Sequence, residues 1–215
     1  MAETVQNRVF QEGNYGFKVF PLNSDGTYGT GATIDGLVNV DITFSSTKTN
    51  IPADYTIDYL HRESPLKGEG TITFVGIKNA DYAKLFANCV DTNNAVIGGR
   101  KNQSKKVGVI FFNTTNFKDG SGVEHSVENM ISLPNCIFSL PNIQTQTIQE
   151  DDTTIRNIEL PVNCNPQNFT NEYGDKDRYT WASISKTEAT DLGYTWADVT
   201  ATVYKPNAVF TASQL

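Results

Sequence analysis

Histidine, cysteine, tryptophan, basic runs and long apolar stretches are all scarce in this chain, and each scarcity narrows what it does. His61 and His125 are the only histidines among 215 residues, and neither is followed at three or four positions by another histidine or a cysteine. A two-histidine metal site would therefore need long-range contact. Cys89, Cys136 and Cys164 are an odd number without metal-ligand spacing, which reads as buried thiols rather than a disulfide framework. Basic residues number 17 against 24 acidic, a net charge of −7 with no long Lys/Arg run. Such a surface repels nucleic acid. Arg100, Lys101, Lys105 and Lys106 come nearest to a basic patch and read as a solvated loop. The first 30 residues hold no apolar stretch of signal-peptide length, and nothing later is long enough to span a bilayer. The expectation is a protein made and used in a cytoplasm, with no membrane partner. The triplets beginning at Asn102, Asn113 and Asn168 then carry no glycan.

Catalytic signatures are missing as well. Gly120-Ser121-Gly122 lacks the Gly-x-Ser-x-Gly spacing and lies in a turn, not at a strand-to-helix corner. No phosphate loop or dinucleotide fingerprint occurs. Asn23 to Gly26 faintly resembles a calcium loop, but Pro21 and Ala32 fall where oxygen ligands are needed. The chain is expected to be no enzyme and to hold no cofactor or metal. Acidic residues are numerous enough for a glycosidase-like pair, and Tyr179, Trp181, Tyr194 and Trp196 are candidate sugar platforms. A carbohydrate-binding β-sandwich module is therefore the alternative reading. Packing into a core or a subunit contact is the plainer use of those aromatics.

What is present is mostly strand patterning. In Gly36 to Ser45, Val38, Val40, Ile42 and Phe44 alternate with Asn39, Asp41, Thr43 and Ser45, so one pleated face is apolar and the other wet. Glu69 to Val75 repeats the pattern, with Ile72 and Phe74 opposed to Glu69, Thr71 and Thr73; so does Thr154 to Asn163, where Ile158, Leu160 and Val162 alternate with Asn157, Glu159 and Asn163. Pro161 in that row argues for an edge or a bulge. Tyr15 to Phe20 reads as a first strand, followed by turn chemistry from Asn23 to Gly31. Val107 to Phe112 is apolar on both sides, as in a central covered strand. Further strands are expected at Val123 to Ile131, Cys136 to Leu140, Ile143 to Ile148 and Trp196 to Tyr204.

Asn79 is placed to cap the one convincing helix, with Asp81 in its first turn and Tyr82, Leu85, Phe86 and Cys89 forming a core-facing stripe. Ser185 with Glu188 fits a capping box for a short second helix. Ser46 to Lys67 has no clean period and reads as a long loop whose Ile51, Tyr55, Ile57 and Tyr59 need a partner to leave water. The expected fold is mainly β with α (α+β), a sandwich or barrel with one packed helix. It is organised as an arm at 1–14, a β domain at 15–165, an irregular insertion at 166–195, and a last strand with a C-terminal arm at 196–215.

The order of these features resembles a known family. A DGTYGTG turn leads into GLVNVDITFSS, a long loop, GEGTITFVG and the helix NADYAKLFANCV; NCIFSLPNIQTQT then meets EDDTTIRNIELPVNC. This arrangement, over roughly residues 15 to 164, resembles the major tail protein, or tail tube protein, of long-tailed bacteriophages infecting Gram-positive bacteria. The resemblance implies a structural virion protein of the tail, assembled in the host cytoplasm. It implies hexameric rings stacking into a hollow tube, with a β-barrel around a lumen that conducts DNA on ejection. The implied partners are further copies of the chain, a tape-measure protein, tail terminator and distal tail proteins, and non-adhesive DNA. Under it, Asn39, Asp41, Thr43, Glu69, Thr71, Thr73, Asn157 and Glu159 are the candidate lumen wall. Ile51, Tyr55, Ile57 and Tyr59 become an inter-subunit or stacking loop, and the two arms order on neighbours.

Overall fold

The computed structural model describes residues 9–53, 56–97, 104–118, 121–141, 157–171 and 173–207; of residues 9–12, 49–53 and 56–62 it describes the backbone only. The elements in chain order are β1 (Val9–Pro21), β2 (Ala32–Thr33), β3 (Leu37–Ser45), β4 (Lys48–Ala53), β5 (Thr56–Glu63), β6 (Lys67–Phe74), α1 (Asn79–Leu85), β7 (Lys106–Lys118), β8 (Glu124–Phe138), β9 (Ile158–Cys164), β10 (Gln167–Thr170), β11 (Lys176–Tyr179), β12 (Ala182–Ser185), α2 (Lys186–Asp191) and α3 (Trp196–Val199). The chain is mainly β, as its alternating apolar positions require.

One eight-stranded antiparallel sheet dominates, in the order β2-β1-β7-β8-β9-β6-β3, with β12 paired to β8 beside β9. It curls far enough for Phe17 of β1 to meet Phe74 of β6 edge to face, ring centroids 5.1 Å apart. The sheet nevertheless stays open, and among the described residues no sheet closes into a barrel, contrary to the barrel expected. A barrel needs the last strand to hydrogen-bond the first, and β3 remains a terminal strand.

Two apolar cores lie on opposite sides of β7. Val107, Val109 and Phe111 face the concave side with Phe17, Ile72, Phe74, Leu133, Leu160 and α1. Ile110 and Phe112 face the other, with Phe20, Met130, Ile184, Ala189, Val199 and Val203. That two-sided burial explains the unbroken apolar run expected of a central strand. At Gly108 a Cβ would lie 2.5 Å from Val203 and 2.6 Å from Tyr28, so only glycine lets the C-terminal layer sit this close.

Several expectations need correction. The first strand starts at Val9, opposite Phe117, so 9–14 belong to the sheet rather than an arm. The long loop over Ser46 to Lys67 is instead the antiparallel pair β4–β5, with Lys48 opposite Glu63 and Ala53 opposite Thr56. Thr47 and Ser64 exchange hydrogen bonds of 2.8 Å at its base. Mixed composition and Pro52 hid its period. Strand signals read separately at Val123 to Ile131 and Cys136 to Leu140 are one strand, β8. Segment 166–195 is not irregular: it holds β10, β11, β12 and α2, and Ile184 and Ala189 anchor it in the second core.

The helices differ too. α1 is capped by the Lys78 backbone rather than by Asn79, whose Nδ2 donates to the Asn94 carbonyl at 3.0 Å. Of its apolar stripe, Leu85, Phe86 and Cys89 are buried and Tyr82 is half-buried against the same core, with Phe86 and Cys89 lying past the last turn. The capping box at Ser185 and Glu188 is complete in both halves. The last strand expected at Trp196 to Tyr204 is absent; α3 takes its start, because Thr195 accepts from the Asp198 amide and Trp196, Val199 and Val203 turn inward at helical spacing. Among the described residues, α3 is thus a third short helix beside the two expected. The expected strand at Ile143 to Ile148, Tyr55, Arg100, Lys101, and both chain ends (1–8 and 208–215) lie outside the described residues.

Two phenols, buried Tyr179 and half-buried Tyr28, tie the layers together. Tyr28 donates to the Pro134 carbonyl at 2.8 Å and Tyr179 to the Tyr204 carbonyl at 3.2 Å. Burial pushes both upward, Tyr179 from 10.0 to about 12 and Tyr28 further in the same direction. The fold therefore favours the neutral phenols. Their contribution is complete below pH 10 and is lost as pH climbs through the Tyr179 value of about 12. Thermal midpoints should be level up to that window and fall within it, with tyrosinate absorbance rising as the chain unfolds. A midpoint unchanged up to the top of the window contradicts this packing.

Candidate functional surface: a polar panel on the edge of the sheet

The register of β3, β6 and β9 brings the wet rows onto one face. Asn39 is opposite Thr73, which is opposite Glu159; Asp41 is opposite Thr71, which is opposite Pro161; Thr43 is opposite Glu69, which is opposite Asn163. Residues in register on neighbouring strands share a face. The eight residues expected at the lumen wall thus form one panel, with Asn157 just before β9. Asn39, Asp41, Thr43, Glu69, Asn157 and Glu159 are exposed, whereas Thr71 and Thr73 are half-buried between their neighbours. The reverse face is apolar: Ile72, Phe74, Leu160 and Val162 are buried, and Val40, Ile42 and Phe44 pack against the same core.

Glycine sets how closely these strands approach. A Cβ on Gly70 would stand 1.9 Å from the Asp41 carbonyl oxygen and 2.7 Å from Ile42 Cα. A Cβ on Gly68 would strike the Phe44 ring at 2.7 Å. The Gly-Glu-Gly sequence of β6 therefore presents Glu69 outward while β3 folds down over the two glycines. Pro161, expected at an edge or bulge, is tolerated for a local reason. Its carbonyl accepts from Ser139 N–H at 2.9 Å, so its missing donor faces the point where β8 has just ended.

One panel member escaped the sequence reading. Lys67, opposite Ser45, continues the period-two row of Glu69, and strict alternation from Glu69 points to it. Among the described panel residues Lys67 is the single cation beside Asp41, Glu69 and Glu159, and this described set is net negative. β3, nine residues long, is also the terminal strand of the sheet and offers its outer edge for pairing.

The other candidates fall elsewhere. Ile51, Ile57 and Tyr59 lie on β4 and β5, a hairpin running on from β3 and β6; their side chains and all of Tyr55 are outside the described residues. Of the aromatic platforms, Tyr179 is buried, Tyr194 packs on the second core, and Trp196 meets Phe112 edge to face at 6.1 Å. Trp181 alone of the four is open, 49% exposed, on the rim of a cleft of about 490 Å³ lined also by Glu63, Lys176, Asp177 and Arg178. Lys105, read as part of a solvated loop, instead donates to the Ala83 carbonyl at 2.5 Å and closes the end of α1. No helix among the described residues is long and apolar enough to cross a membrane.

No protein-family model matches the sequence, and no curated protein does. Among solved structures, the chain is similar to the tube-terminating cap of an anti-feeding prophage. Identity is 15% and the TM-score 0.31, over 80% of this chain and 89% of that one. A TM-score of that size does not establish a shared fold.

Proposed function

We propose that this chain is a non-enzymatic structural subunit of a phage tail tube, assembling through its sheet edges into hexameric rings that stack. The observation that carries the reading is the panel. Asp41, Glu69 and Glu159, set among short Thr and Asn side chains, cover one face of β3, β6 and β9, and this face ends at an open nine-residue strand. A long open edge is an aggregation hazard for a monomer, and pairing around a ring removes it. A face of carboxylates and short polar groups turned to the lumen would repel DNA phosphates and leave passing DNA nothing to grip. The β4–β5 hairpin is the proposed contact between subunits or rings. The tape-measure, terminator and distal tail proteins are the further partners of such a tube.

The test is Ile57→Asp on the hairpin. The variant should remain a soluble monomer with the parental circular-dichroism spectrum and form no tubes by sedimentation. Tubes at the parental concentration would remove the hairpin from the contact. The cleft at Trp181 favours the second reading, a carbohydrate-binding module. Glycan-array binding by a monomer, lost in Trp181→Ala, would bring it forward.

A further inference from the structure

The main sheet has a narrow seam. β9 pairs with β6 from Gly68 to Phe74, but it meets β8 only through Cys136 opposite Cys164, Ile137 opposite Asn163 and Phe138 opposite Val162. One further hydrogen bond flanks either end, Asn165 N–H to the Asn135 carbonyl at 2.7 Å and Ser139 N–H to the Pro161 carbonyl at 2.9 Å. Across this seam the β9-β6-β3 limb, with the whole panel, joins the β2-β1-β7-β8 limb. The two cysteines face each other in it, Sγ to Sγ 3.2 Å, both buried in the first core.

We propose that Cys136 and Cys164 form a cross-strand disulfide that staples this seam when the chain meets a small-molecule disulfide of the glutathione class. The backbone geometry allows it. The two flanking hydrogen bonds place the hydrogen-bonded pairs at 135/165, 137/163 and 139/161. Cys136 and Cys164 therefore occupy a non-hydrogen-bonded pair, where Cα atoms lie about 4.5 Å apart, inside the disulfide range of about 4.4–6.8 Å. The sulfurs need to close from 3.2 Å to about 2.05 Å. Cys89 takes no part, since its thiol is directed at the Phe86 carbonyl, 3.6 Å away.

The exchange is balanced. One cysteine thiolate attacks the oxidised glutathione, forms a mixed disulfide and releases one glutathione thiolate. The second cysteine thiolate then attacks the protein sulfur of that mixed disulfide and releases the other. The two cysteine protons leave to solvent or to the departing thiolates, and the oxidant's S–S bond receives the electron pair. Burial and the neighbouring thiol push Cys136 well above its ordinary range, so exchange proceeds through brief opening of the seam and quickens with rising pH.

The inference does not rest on the tail-tube reading, because its readout is thiol chemistry on the free chain. The full-length protein is incubated with oxidised glutathione, quenched in acid, unfolded and labelled with a maleimide. Labelled thiols should fall from the three of the reduced chain to one, on Cys89, with the Cys136 and Cys164 peptides linked. The thermal midpoint should rise and return on adding dithiothreitol. Persistence of three labelled thiols after prolonged incubation at mildly alkaline pH overturns the proposal. So does retained glutathione, a linkage through Cys89, or an oxidised chain no more heat-stable than the reduced one.

Discussion

Valine at Gly70 is expected to leave no cooperatively folded protein. Even the Cβ shared by every larger residue would stand 1.9 Å from the Asp41 carbonyl oxygen and 2.7 Å from Ile42 Cα, and both are backbone atoms that no rotamer change can move aside. β3 must then lift from β6, breaking pairings from Asn39–Thr73 to Ser45–Lys67 and uncovering Ile42 and Phe44 above the first core. Forcing bulk into a packed site costs about 1–3 kcal/mol where side chains can yield. Here the backbone must yield and a strand is lost, so about 4 kcal/mol or more is expected, a large part of the usual 5–15 kcal/mol of a domain. Gly76, where an added Cβ meets nothing within 4 Å, supplies the control. Gly76→Ala should keep its urea midpoint within an equivalent of about 0.5 kcal/mol. A Gly70→Val chain as stable as the parent would show that β3 does not lie over β6 as described.

Reversing the panel's charge should leave fold and assembly intact while spoiling DNA passage. Asp41→Lys with Glu69→Lys changes two exposed residues on neighbouring strands and turns the panel net positive. Exposed substitutions away from packed features move stability by about 0.5 kcal/mol or less. In a ring of copies the changes multiply, and a cationic bore would hold phosphates by counterion release. Assembled tubes of the variant should retain DNA at low salt and release it as salt rises. Phage carrying it should eject DNA at least about tenfold less efficiently, in line with the strength of charge-focused fields in narrow channels. Parental DNA retention and infectivity would move the panel out of the lumen.

Much of this was legible in the sequence where one physical rule acted alone. β3, β6 and β9 each bury one face, so their period-two pattern gave both the strands and the panel residues. Buried on both faces, β7 lost its alternation for the reason expected. The capping box of α2 was legible because Ser185 and Glu188 satisfy each other locally. Rules in competition misled. Trp196 to Tyr204 alternates like a strand, yet Thr195 and Asp198 start a turn of helix and the second core takes Val199 and Val203 at helical spacing. Asn79 could have been a cap, but its side chain goes to Asn94 instead. The facing of Cys136 and Cys164 was not legible, because register between strands distant in sequence is set by the whole sheet.

Negative-stain electron microscopy of the purified chain over a concentration series, with and without preformed tail tubes as seeds, tests the tail-tube assignment most directly. Hollow rings at low concentration and stacked tubes at high concentration are the expected result, with seeds shifting the onset downward. Uniform monomers at every concentration, seeded or not, would contradict it.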